Sequence, residues 1–107
     1  MKAVCTIDEL SETAASIIDL GKRQIIALKR EGKVYLYHNR CPHMGSLLNS
    51  RDSEIMVDNG RYLICTMHFA MFESDTGQCV AGPCPGATLS RISYELNGDN
   101  IMINSHI

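Results

Sequence analysis

The sequence predicts a mainly β domain built from small antiparallel sheets. Three observations predict it. Several stretches alternate apolar and polar residues with period two, glycine-bearing dipeptides stand where hairpin turns belong, and a loop-rich middle holds most of the glycines and all three prolines. The chain has 107 residues, which fits one small domain. Charged residues make up 21% and the net charge is −2, so no basic footprint for nucleic acid is expected. No apolar run approaches the length of a membrane span. Asp8 and Glu9 arrive before any apolar leader could form, so no secretory signal is expected and a cytoplasmic location is the default.

Taken in order, a first strand holds Cys5. Between residues 7 and 18, Ile7, Leu10, Ala14 and Ile17/Ile18 have helical spacing, with Thr6 or Asp8 as a cap. A helical turn near 8–13 and a strand over 16–20 are expected. Glu31-Gly32 marks a hairpin between strands Gln24–Arg30 and Lys33–His38. In the second of these, Val34 and Leu36 share one face and Tyr35 and Tyr37 the other. Segments 41–60 and 66–89 read as loops, with Asn59-Gly60 opening a strand over 61–65. Asn97-Gly98 marks the last hairpin, between strands over 90–96 and 100–104. Ile92, Tyr94 and Leu96 alternate with polar residues, and this period of two, like that of Val34 and Leu36 against the tyrosines, predicts an antiparallel sheet packed on one side.

Five cysteines, at 5, 41, 65, 79 and 84, are many for such a chain. Without a secretory signal, metal binding or redox chemistry is the expected use rather than disulfides. Two pairs stand out at the edges of the loop segments. Cys41-Pro42-His43 and Cys65-Thr66-Met67-His68 each offer one thiolate and one imidazole, and residues 44 to 64 separate them. Pro42 biases Cys41 to an extended backbone, so the first pair is a bend rather than a helix. A tetrahedral zinc ion could use the same four atoms, although common zinc patterns pair Cys with Cys and His with His. In a Rieske centre two cysteines bind one iron and two histidines the other. Mixed pairs suit that arrangement, since each segment then gives one ligand to each iron.

C-x-H followed by C-x-x-H is the Rieske motif, and the chain resembles a small Rieske-type ferredoxin over nearly its whole length. Gly45 matches the family's C-x-H-x-G. Residues 82–86 (Gly-Pro-Cys-Pro-Gly) resemble its proline loop, and Phe72 to Gly77 its F-x-x-x-T-G turn. The chain departs from the pattern at Phe69, where many relatives have glycine, and by a longer stretch near 49–59. The resemblance implies a [2Fe–2S] cluster held by Cys41, His43, Cys65 and His68. It implies a Rieske fold as a single domain, with base sheets from 1–40 and 90–107 and a cluster-binding subdomain over 41–89. Ser46 and Met67 stand where respiratory relatives carry bridging cysteines. Ala70 and Phe72 stand where those relatives carry a serine and a tyrosine that donate hydrogen bonds to the cluster region. Fewer such bonds imply a low potential. The ligand histidines imply proton uptake on reduction at alkaline pH.

The implied function is an electron carrier rather than an enzyme, loaded by a reductase and unloaded by a terminal oxygenase or other redox enzyme. The alternatives are a Rieske-like small subunit of a nitrite reductase or similar complex, and an iron–sulfur or redox sensor using Cys79 and Cys84. An oxygenase needs a second iron held by two histidines and a carboxylate, and only His38 and His106 remain for it. No small-molecule substrate is expected. Cys79 and Cys84 read as small thiols packing a turn in preference to a redox pair, and Cys5 as a core residue. His38 reads as a packed or hydrogen-bonded residue and His106 as part of a frayed end. Met44, Met67, Phe69, Pro83 and Pro85 form either an apolar docking rim or simple packing for the loops. Arg51, Asp52, Glu54 and Asp58 read as a solvated loop with a possible part in choosing the partner.

Overall fold

The computed structural model describes residues 2–12, 14–21, 23–40, 56–58, 61–64, 71–81 and 87–104. Ten strands appear among them: β1 (Lys2–Thr6), β2 (Ser16–Asp19), β3 (Gln24–Arg30), β4 (Lys33–His38), β5 (Met56–Asp58), β6 (Tyr62–Ile64), β7 (Met71–Glu73), β8 (Cys79–Ala81), β9 (Glu95–Asn97) and β10 (Asn100–Ile103). They form three antiparallel sheets, ordered β1-β10-β9, β2-β3-β4 and β5-β6-β7-β8. The described residues contain one 3₁₀ turn, Ile7–Glu9, and no α-helix. The expected mainly β class with small antiparallel sheets is what the chain adopts.

The β3–β4 hairpin has the bounds the sequence predicts. Glu31 and Gly32 both take positive φ (53° and 77°), as a tight turn matched to strand twist requires. The last hairpin is displaced by one residue. Asn97 pairs with Asn100, so the turn is Gly98-Asp99, with Gly98 at φ 61°. The Asp99 carbonyl accepts a hydrogen bond from the Ile7 N–H (2.9 Å), which ties that turn to the first strand's exit. The Asn59-Gly60 dipeptide lies outside the described residues. Its flanks, β5 and β6, pair with Asp58 opposite Tyr62. The helical turn falls at Ile7–Glu9 rather than 8–13, with Thr6 as its N-cap. The Thr6 N–H and hydroxyl both donate to Glu9 Oε1 at 3.0 Å.

Two expectations need correction. The sheet β2-β3-β4 is packed on both faces, not one. Ile26, Leu28 and Tyr37 lie in one core cluster with Leu63, Phe72, Cys79 and Leu89. Ile25, Ala27, Val34 and Leu36 lie in a second with Leu10, Ile92, Ile101 and Ile103. Alternation along β3 therefore divides apolar residues between two cores, and β2-β3-β4 is the middle layer. The tyrosine face of β4 is interior because the Tyr37 hydroxyl has a buried partner, Ser74 O at 2.9 Å. The second correction concerns residues 90–96, which are not one strand. Tyr37 and Arg91 form an isolated bridge, and the Ile92 N–H donates to Leu36 O, so 90–92 runs beside β4. Only Glu95–Asn97 then joins the other sheet, and Leu96 is left exposed. Segments 41–60 and 66–89, read as loops, also contain β5, β7 and β8.

Candidate metal centre

The two predicted ligand pairs follow strands of different sheets. β4 ends at His38, and Asn39 and Arg40 lead to Cys41. Asn39 is buried and doubly tied to Gln24: its N–H donates to Gln24 O (2.9 Å) and its amide nitrogen to Gln24 Oε1 (3.1 Å). β6 ends at Ile64, directly before Cys65, and β7 opens at Met71, three residues after His68. Tyr37 of β4, Leu63 of β6 and Phe72 of β7 share the first core cluster. Both exits thus spring from one packed body. Cys41, His43, Cys65 and His68 lie outside the described residues, as do Cys84, His106 and the Gly82–Gly86 segment.

The turn between β7 and β8 fastens these strands together. Gly77 takes φ 76° and donates its N–H to Glu73 O at 2.7 Å. A Cβ at this position would stand 2.8 Å from Tyr37 Cε1, so glycine is what lets turn and ring meet. The Tyr37 hydroxyl donates to Ser74 O, and Arg91 Nη2 donates to Asp75 O at 2.9 Å. Arg30 Nη1 lies 3.0 Å from Asp75 Oδ1, an ion-pair contact without hydrogen-bond alignment, and 3.5 Å from Ser74 Oγ. The Arg91 guanidinium also stacks over the Tyr35 ring, 5.1 Å from its centroid. Burial pushes the Tyr37 phenol up to about 12 against the pull of Arg91, so it stays a neutral donor throughout the working pH range.

The sequence gives no local signal for this network, since Tyr37 and Ser74 are 37 residues apart. Its trace in the sequence is the Thr76-Gly77 dipeptide. Other singled-out residues are placed plainly. His38 is half-buried, its backbone N–H donates to Ser90 O (2.9 Å), and burial followed by repulsion from Arg23 lowers the ring's pKa. The Cys79 thiol is buried and donates to Ala81 O at 3.2 Å. Cys5 is half-buried against the second cluster, and burial, aided by Glu9, raises its thiol pKa. Phe72 is fully buried. Among the described residues no group of three or more His, Cys, Asp or Glu side chains is placed to hold a metal ion, and no helix is long and apolar enough to cross a membrane.

With this frame established, the comparisons define the class. The chain matches the family model for the Rieske [2Fe-2S] domain over residues 1–99, and it belongs to that family. Its cofactor is accordingly a [2Fe–2S] cluster. It is 28% identical over 105 residues to the ferredoxin component of the alkene monooxygenase system of Xanthobacter autotrophicus, covering 95% of this chain and 79% of that one. Its fold matches the ferredoxin of Sphingomonas yanoikuyae B1 with a TM-score of 0.77 at 17% identity, over 97% of both chains. The ferredoxin of carbazole 1,9a-dioxygenase from Nocardioides aromaticivorans IC177 gives 0.74 at 20% identity, over 95% of this chain and 94% of that one. The predicted donor set, two thiols and two imidazoles with one of each following β4 and β6 in the sequence, would suit that cofactor, and those strands meet in one core cluster.

Proposed function

We propose that this chain is a one-electron carrier, with Cys41 and Cys65 holding one iron and His43 and His68 the other. The observation that carries the reading is the pairing itself: one Cys/His pair follows each of two strands rooted in one core cluster, in a chain of the Rieske family. A cluster held there would supply one-electron redox chemistry. The protein's own part is to root the donors. Asn39, locked to Gln24, fixes the backbone two residues before Cys41. Leu63 and Phe72, both fully buried, anchor β6 and β7, the strands before and after 65–70. The function is that of a carrier and not of an enzyme, in a cytoplasmic setting, with a reductase as donor and an oxygenase component or another redox enzyme as acceptor. The relative in an alkene monooxygenase system supports this choice.

Phe72 and Ala70 carry no hydroxyl donors, so the potential falls at the low end of the Rieske range, about −150 mV. Anaerobic purification with iron and sulfide analysis and electron paramagnetic resonance tests the reading. Two irons, two sulfides and a Rieske signal are expected, and all are lost in Cys41→Ser and His68→Ala. Zinc in place of iron, or a clearly positive potential on redox titration, would overturn the corresponding part.

A further inference from the structure

We infer that Tyr37 is a positioning residue for the cluster, acting through the β7–β8 turn as a clamp that fixes the spacing between the two ligand-bearing segments. The inference rests on the ligand assignment above. Each iron then draws one ligand from residues 41–43 and one from 65–68, so any drift between β4 and the β6–β7 hairpin strains both irons at once. Few polar ties link those two units among the described residues. The Tyr37 hydroxyl to Ser74 O crosses between them inside the core, 2.9 Å long and buried. Arg30 from β3 and Arg91 from beside β4 grip the neighbouring Asp75. Gly77 permits the ring to lie against the turn, and its carbonyl accepts from the Leu89 N–H at 2.8 Å. Tyr37 also lies in β4, only four positions before Cys41 in the sequence. One side chain therefore reports the position of one ligand segment's strand to the other's.

The test uses the holoprotein. Tyr37→Phe keeps the ring and removes the donor. Ile103→Val, in the other core cluster, serves as a control with a similar stability cost. Well below the melting temperature, excess iron chelator is added and the visible absorbance of the cluster is followed. Tyr37→Phe is expected to bleach about fivefold faster than wild type, the factor that one net hydrogen bond supplies. Its reduced paramagnetic resonance lines are expected to broaden as ligand geometry becomes heterogeneous, while Ile103→Val shows neither change. Equal bleaching rates and line widths in the two variants would refute the clamp. If Tyr37→Phe does not fold, Arg30→Gln at the partly exposed tie decides by the same two readouts. A wild-type protein that carries no cluster would instead overturn the ligand assignment, and the clamp with it.

Discussion

Gly77 and Gly32 form a matched pair for measuring how tightly the turn meets Tyr37. Their φ angles are 76° and 77°, so alanine pays the same backbone strain at both, about 1 kcal/mol. Their surroundings differ. A Cβ on Gly32 meets nothing within 4 Å, whereas one on Gly77 stands 2.8 Å from Tyr37 Cε1 and 3.3 Å from Leu89 Cβ. The Tyr37 ring cannot yield cheaply, because it is fully buried and its hydroxyl is held by Ser74 O. Overpacking of this kind costs about 1–3 kcal/mol. Gly32→Ala should therefore lose about 1 kcal/mol and Gly77→Ala about 2–4 kcal/mol. At about 5 °C per kcal/mol for a domain of this size, the melting temperatures fall by about 5 °C and about 10–20 °C. The assay is circular dichroism of the oxidised holoproteins at one scan rate, since cluster loss makes the transition rate-dependent. Equal shifts for the two variants would refute the close approach of turn and ring.

Three further outcomes follow from the same coordinates. The Glu12 carboxylate accepts from the Glu31 and Gly32 N–H groups at 2.7 and 3.0 Å, so Glu12→Ala should cost about 1 kcal/mol and speed hydrogen exchange in the β3–β4 turn, as read by mass spectrometry. Unchanged exchange there would contradict the cap. His38 has a folded pKa lowered from 6.5 by burial and then by Arg23, so the unfolded chain binds the proton first. Stability is full above about 6.5 and is lost as pH falls from there through the lowered folded value; His38→Gln should flatten that part of the melting-temperature profile. In a brief iodoacetamide pulse at pH 8 on the native protein, Cys79 should stay unlabelled because it is buried. Cys5, half-buried with a raised pKa, should label slowly and faster as pH rises.

What the sequence revealed depended on whether a signal was local. Glu31-Gly32 is a local signal, and both strands around it were legible to the residue. Asn97-Gly98 announced a turn but not its register, because pairing of β10 with β1 and the Ile7 N–H to Asp99 O bond settle that from outside the hairpin. The two-sided burial of β4 was missed because a tyrosine counts as polar until its partner is known, and Ser74 is far away in sequence. β5, β7 and β8 have three residues each, too short for alternation to show. Ile17 and Ile18 fitted a helical spacing as well as the expected strand over 16–20, and they lie in β2 (Ser16–Asp19), one against each core cluster. The four proposed ligands were read from thiol and imidazole chemistry at a characteristic spacing, and they lie outside the described residues.

The proposed mixed pairing gives a role to the ties that converge on the β7–β8 turn. If one segment held both cysteines and the other both histidines, each iron would be chelated locally and the two segments could drift apart with modest consequence. On the proposed assignment, one cysteine and one histidine per segment would make every iron a bridge between the segments that follow β4 and β6. Holding that distance would then fall to the frame from which the two segments leave. Asn39–Gln24 stiffens the near end of β4, Tyr37–Ser74 crosses between the sheets, and Arg30 and Arg91 pin the far turn from two sides. None of these residues is a proposed ligand of the centre that transfers the electron. They bear on it because a carrier that changes charge without changing shape needs its two ligand segments to stay at one spacing in both states.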